Sequence, residues 1–259
     1  MPTVSAMMLD WLATQLPAWP VFLVLAAASF SGGLLLGFTG FGAGLLMAPI
    51  FSLLMPPTDV LVLVLGISSI VSLPILPDAI RQVDWRLVMR LLIPSLFGMP
   101  VGLAMLQWVD PATMRKTVAL MVITLALLML AGWHYRGRRG TVQDGVAGLL
   151  SGVMTAIAGI GGPPVVLYML SDRSLGHAAI RAASILFFLL GQSATLILVG
   201  LAGDLTARQG VWTVMLLPFA IGATLLGALL HRQAGSRQAF LRRMSLFALL
   251  GIGILALVV

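Results

Sequence analysis

A chain of 259 residues that is 60% hydrophobic and only 9% charged cannot cover a water-facing surface, since a soluble domain carries about 25% charged residues. With a mean hydropathy of +1.09 and apolar runs far longer than barrel strands, it reads as an all-α polytopic membrane protein and not as a β-barrel. The net charge of +7 does not mark nucleic-acid binding: the basic residues, all Arg except Lys116, fall in short loops between apolar segments, where topology-setting charges lie.

Cysteine is absent, so disulfides and thiolate metal sites are excluded. The acidic residues are all Asp. Residues 1–17 have no basic region and are interrupted by Asp10 and two prolines, which is not the pattern of a signal peptide. Met8, Leu9, Leu12 and Leu16 can share one face of a short interfacial helix; a loose lead-in fits as well.

Ten apolar segments follow, at about 18–38, 42–56, 58–79, 86–107, 113–133, 143–158, 162–171, 178–201, 208–231 and 239–259. Three breaks carry helix-start signals: Pro56-Pro57-Thr58-Asp59, Asp84, and Asp110-Pro111, where Asp is a capping acceptor and Pro suits the first helical position. Segments 42–56 and 162–171 are too short for a full span. Ten helical residues cover about 15 Å, against a hydrocarbon core of about 30 Å. Both are expected to be half-helices or arms of re-entrant hairpins. If the N-terminus lies outside, twelve basic residues fall in inner loops and Arg115, Lys116 and Arg208 outside, which predicts both termini outside.

The chain repeats itself. "SGGLLLGFTGFGAG" (31–44) resembles "SGVMTAIAGIGGPP" (151–164), pairing Gly40 with Gly159 and Gly42 with Gly161. "LLIPSLFG" (91–98) resembles "VMLLPFAIG" (214–222), pairing Pro94 with Pro218 and Gly98 with Gly222; "MRKTVAL" (114–120) resembles "LRRMSLF" (241–247). The blocks match in order. Five segments per unit is an odd number, so the second unit enters from the opposite side, giving two inverted-topology repeats. The expected organisation is a lead-in at 1–17, a first repeat at 18–133, a cytoplasmic linker at 134–142 and a second repeat at 143–259.

"GFTGFGAG" (37–44) breaks an apolar stretch with four glycines. Backbone groups freed in hydrocarbon cost several kcal/mol unless satisfied, so a break belongs inside protein or beside a cavity. A helix that restarts there points free N–H groups and a positive dipole end at one spot, which suits an anion. Two such starts are expected, near Gly42 and Gly161, facing each other. Close helix packing explains the small-xxx-small pairs Gly33/Gly37, Gly98/Gly102 and Gly148/Gly152 better than binding does.

"GFTGFGAGLLMAPIF" and "GIGGPPVVLYML", each opening one half of an apolar chain, resemble the sulfite exporter TauE/SafE family, also called toluene sulfonate uptake permeases. The resemblance implies a transporter of small sulfur-containing anions such as sulfite, sulfoacetate or other organosulfonates, usually outward. "GISS" (66–69) departs from the Gly-Thr-Ser expected in the third segment, and "AAS" (182–184) is its weaker counterpart.

The candidate substrate-binding residues are Thr39, Gly40, Phe41, Gly42, Gly44, Ser68, Gly159, Gly161, Gly162, Pro163 and Gln192. Gln192 fits either substrate contact or an interhelical hydrogen bond. For Ser68, Ser69 and Ser72 back-bonding to the helix is the expected role. Thr39 and Thr155 lie near the breaks and can add hydroxyl donors. Arg181 can guide an anion inward, although topology explains it equally. No ionisable residue falls in the middle of a segment, so no intramembrane proton relay is expected, nor any catalytic set, metal site or cofactor.

The reading is a bacterial inner-membrane exporter of a small sulfur oxyanion. The alternatives are an importer of such anions and a channel-like or non-transporting scaffold. The partners expected are the anionic substrate and membrane lipid, with a homodimer left open and nucleic acid excluded.

Overall fold

The computed structural model describes residues 14–132, 140–170, 175–233 and 238–258. Among these every regular element is helical. The order is α1 (Trp19–Thr39), α2 (Ala43–Ser52), α3 (Pro57–Ser72), a 3₁₀ turn (Leu73–Ile75), α4 (Leu76–Ile80), α5 (Trp85–Trp108), α6 (Pro111–Leu130), α7 (Thr141–Ala158), α8 (Gly162–Met169), α9 (His177–Leu201), α10 (Ala207–Gln233) and α11 (Gln238–Val258). Seven stretches among the described residues are long and apolar enough to cross a bilayer: α1, the continuous run Pro57–Ile80, α5, α6, α7, Ala178–Leu201 within α9, and α10. The proposed interfacial residues Met8, Leu9 and Leu12 lie outside the described residues.

Local chemistry sets the ends. Asp84 caps α5, accepting from Arg86 N at 2.9 Å and Leu87 N at 3.4 Å. Asp110 caps α6, accepting from Ala112 N and Thr113 N, both at 3.0 Å, and Pro111 takes the first helical position. Hydrogen bonds from Thr113 hold the Asp110 carboxyl below the usual carboxylate range, so the cap carries its charge at the positive end of the helix.

At α3 the sequence signal resolves differently. Pro56 is the cap residue, with no side chain on the free N–H groups. Asp59, in the first turn, instead ties α3 to α10 through Arg208 Nη2 and Gln209 Nε2, both at 2.6 Å. The third apolar segment also contains a 3₁₀ turn, where Pro74 and Pro77 lack the N–H groups that would continue the α ladder.

Packing follows a cross-paired scheme. α1 packs along α10, and α5 along α7. Thus the first helix of each half lies on the fourth helix of the other. α6 packs on α11, fifth on fifth, and α3 on α9, third on third. Glycines make the two long contacts possible. A Cβ at Gly33 or Gly37 would run into the carbonyl oxygens of Ala220 and Thr224, and one at Gly227 into Leu34 O. In the second crossing, a Cβ at Gly98 or Gly148 would strike Leu149 O or Leu91 O, and one at Gly152 would strike Ser95 O. The backbones approach so closely that only a hydrogen fits, as small-residue packing requires. Gly222 differs from its sequence match Gly98, since a Cβ there meets nothing within 4 Å. In α10 the packing glycine is Gly227, one turn further on.

α3 is the most enclosed span. Leu61, Leu63, Val64, Leu65 and Ile67 are at most 1% exposed. Its serines therefore face protein, not lipid. The outer belt is apolar: Phe97, Ile197 and Val214 are exposed, as lipid-facing side chains should be. Trp19, Trp85 and Trp108, each at a helix terminus, are also exposed, where amphipathic rings suit the headgroup level.

Gly98→Ala should lower the apparent melting temperature of the detergent-solubilised protein by several degrees, because overpacking of this kind costs about 1–3 kcal/mol. Gly222→Ala, with open space around it, should leave it unchanged. Equal melting temperatures for the two variants would contradict the packing role of Gly98.

Candidate functional site

The site is built where two helices stop short. α1 ends at Thr39, and Gly40 takes a left-handed conformation (φ 84°) with its N–H on Leu36 O at 2.7 Å. Gly42 is also left-handed (φ 94°), and α2 begins at Ala43. The second interruption has the same plan. α7 ends at Ala158, Gly159 is left-handed (φ 68°) with its N–H on Thr155 O at 2.7 Å, and α8 begins at Gly162. A side chain at φ near +60° to +90° is strained, which is why glycine stands at these three positions. Gly161 is helical in conformation (φ −66°). It is glycine for space: a Cβ there would collide with the Thr155 hydroxyl and come within 2.6 Å of Ser151 O.

Hydroxyls staple both turns. Thr39 Oγ1 sits 2.8 Å from Leu35 O and 2.7 Å from Phe41 O. Thr155 Oγ1 donates to Ser151 O at 2.8 Å, and Ser151 Oγ donates to Gly161 O. A hydroxyl carries one hydrogen, so Thr39 and Thr155 spend theirs on the backbone. These residues shape the turns.

The two interruptions meet. A Cβ at Gly44 would run into the carbonyl oxygen of Gly159. Val64 Cγ1, on α3, lies 3.2 Å from a Cβ built at Gly44 and 2.6 Å from one built at Gly159. A Cβ at Gly162 would have ordinary contacts, 3.4 Å to Phe188 and 3.7 Å to Phe41. Gly44, Gly159 and Gly162 from the two halves therefore share one locus with Phe41, Val64 and Phe188. Pro163 lies in the first turn of α8.

The two helix starts are unequal as donors. Neither has a side-chain cap, and a helix start leaves about four N–H groups without an intrahelical partner. Pro163 and Pro164 occupy the second and third positions of α8 and carry no N–H. The start of α2 has Ala43, Gly44 and Leu45 there, all with N–H groups. The first interruption is the richer donor set.

Buried polar atoms lie further along the two helices that reach this locus. Ser68 is 1% exposed and its Oγ has no hydrogen-bond partner; the same holds for Ser69 Oγ and for Gln192 Oε1, with Gln192 8% exposed. Ser68 follows Val64 by four residues and Gln192 follows Phe188 by four, which puts each one turn along the same helix face as a residue at the locus. Back-bonding holds for Ser72, which donates to Ser68 O at 2.7 Å, but not for Ser68 or Ser69. A cavity of about 310 Å³ extends from Ser52, Pro56 and Arg115 to Ile157 and Ala158, next to Gly159.

Two features are weak in the sequence. Arg181 lies against the first turn, with its Cγ 2.6 Å from a Cβ built at Gly40 and Nη2 donating to Gly37 O at 2.7 Å. Its signal was a charge set inside the apolar run "HAAIRAASILFF" and not in front of it. Asp144 is only 3% exposed and accepts from the Tyr168 hydroxyl at 2.5 Å. α8 folds back along α7 and covers it.

The profile of the sulfite exporter TauE/SafE family matches residues 25–256 of the chain. A probable sulfite/organosulfonate exporter TauE of Cupriavidus necator is 27% identical over 223 residues, covering 83% of this chain and 85% of that protein. No solved structure matches the chain significantly.

Gly162→Ala should fold like the parent, because its methyl has room, yet slow transport by narrowing the gap between Phe41 and Phe188. Gly44→Ala and Gly159→Ala should instead be recovered in low yield or with a clearly lower melting temperature. Transport by Gly162→Ala at the parental rate would remove this locus from the path.

Proposed function

We propose, since this chain belongs to the sulfite exporter TauE/SafE family, that it exports a small sulfur-containing anion such as sulfite, sulfoacetate or another organosulfonate. The anion binds near the midplane between the two glycine-rich interruptions. The observation that carries this reading is the meeting of Gly44 with the Gly159 carbonyl, which brings two helix starts from distant parts of the chain to one place. The name of the Cupriavidus relative, a probable sulfite/organosulfonate exporter, supports the substrate class.

The chemistry follows from the parts. Free N–H groups at the start of α2, reinforced by the helix dipole, supply anion donors without a fixed charge. The Ser68 hydroxyl adds a donor on the neighbouring face. Phe41, Val64 and Phe188 keep the locus apolar, so the hydrogen bonds act in a low dielectric. Glycine at 44 and 159 lets the two interruptions pack backbone to backbone, and glycine at 162 leaves room beside Phe41 and Phe188 for a ligand.

The cross-paired packing supports two inverted repeats, 18–133 and 143–259, around this locus. An axis in the membrane plane exchanges α1/α10 with α7/α5, and the prolines inside the fourth helices, Pro94 and Pro218, correspond. In this reading the protein lies in a bacterial inner membrane with both termini outside. An anion leaving a cell that is negative inside gains about 2.3 kcal/mol per charge per 100 mV. Outward transport thus needs no coupling ion.

Topology is tested with single cysteines, introduced without background because none is native. Thr141→Cys should be labelled by an impermeant thiol reagent only from inside and Thr206→Cys only from outside. Labelling of both from one side would refute the inverted arrangement.

Function is tested in proteoliposomes loaded with sulfite or sulfoacetate. Efflux should be electrogenic and should continue without a pH gradient when a membrane potential is imposed. Absence of flux for both anions would reject this substrate class, and strict dependence on a pH gradient at zero potential would reject uncoupled export.

A further inference from the structure

We propose that Arg181 binds the transported anion directly, as the charged partner of the first interruption, and that its guanidinium selects oxyanions over halides. The proposal rests on the substrate site proposed above and adds a residue and a selectivity to it.

Four observations converge. Arg181 sits one turn into α9, with its aliphatic stem packed on Gly40. Among the described residues one donor is placed, Nη2 on Gly37 O. Nε is buried and has no hydrogen-bond partner. Nearby Asp78 is held by Arg232, and Asp59 pairs with Arg208 at 2.6 Å, so among the described residues no carboxylate forms a salt bridge with Arg181. Asp78, already held by Arg232, acts on Arg181 only through space, and a partly buried guanidinium paired this weakly among the described residues is costly, because a desolvated charge is tolerated only when paired and hydrogen-bonded. The carbonyl end of α1 offers it a partial negative charge of about half a unit, which is less than it needs. A bound anion completes the pairing.

The place and the geometry then define the ligand. Arg181 lies against the first interruption, at Gly40 and the Gly37 carbonyl, and not against the second, where Pro163 and Pro164 remove two N–H groups. The fixed charge thus belongs to the interruption that keeps the larger set of backbone donors. A guanidinium presents parallel N–H groups in a rigid fork, which matches two oxygens borne on one atom, as in a sulfonate or sulfite; a halide offers a single centre.

The competing role is purely structural: Arg181 as the C-terminal cap of α1, through Gly37 O. Arg181→Lys separates the two, since lysine keeps the charge and one donor for Gly37 O but loses the fork. Parent, Arg181→Lys and Arg181→Gln are compared in proteoliposomes for sulfite and sulfoacetate efflux, with chloride as competitor, and for melting temperature in detergent with and without sulfite.

We expect Arg181→Lys to fold with the parental melting temperature, to raise KM for both oxyanions by about tenfold or more with a smaller change in maximal rate, and to become sensitive to chloride. Sulfite should stabilise the parent and not Arg181→Gln. Parental KM and parental indifference to chloride in both variants would overturn the proposal, as would loss of folded protein in both, which would make Arg181 a cap alone. If the parent itself moves neither anion, the export reading fails. The melting experiment still judges Arg181, because sulfite that stabilises parent and Arg181→Gln equally overturns its role.

Discussion

A backbone N–H or C=O left without a partner in hydrocarbon costs several kcal/mol, and an interrupted helix creates several at once. The structure meets this cost locally where it can. Gly40 and Gly159 turn left-handed so that their own N–H groups close onto Leu36 O and Thr155 O. Thr39, Ser151 and Thr155 donate hydroxyls to neighbouring carbonyls. Arg181 takes the Gly37 carbonyl. These partners satisfy carbonyl groups at the ends of α1 and α7. The N–H groups that open α2 and α8 receive no side-chain cap, and the chain places both openings deep inside protein.

That placement depends on the two glycine-packed crossings. α1 can bring its interruption to the centre because Gly33 and Gly37 let it lie directly on α10, and α7 does the same on α5 through Gly148 and Gly152. Bulkier residues would force each pair apart and withdraw both interruptions from α3 and α9. Packing glycines and turn glycines thus serve one arrangement by different physics: the first remove volume, the second permit a backbone conformation. Gly161 belongs with the first group although it sits beside the second, since its φ is ordinary and its neighbours leave no room.

The two halves are alike in plan and unlike in detail. Consecutive prolines after Gly162 take N–H groups away from the start of α8, whereas α2 keeps them. A cation, Arg181, lies against the first interruption, and the cavity opens beside the second.

Much of this was legible in the residues. Apolar runs of spanning length and basic loops gave the membrane class, since those features reflect transfer free energies that any fold must obey. Asp84 and Asp110 marked helix starts because capping is local. The paired glycine blocks pointed to the turns for the same reason, and the spacing of Gly33/Gly37 and Gly98/Gly102 to close contacts. Other features needed the tertiary structure. Only packing decided that Gly227 and not Gly222 touches α1, that Gly161 lacks space while Gly162 has it, and that Ser68 faces protein with its hydroxyl unpartnered. Only packing brought Arg181 onto Gly40, a residue far away in sequence, and folded Tyr168 over Asp144. Each of these depends on which helix face meets which neighbour. One sequence cannot display that, because helices such as α1, α6 and α10 are nearly as apolar on one side as on another, and even a one-sided helix does not name its neighbour.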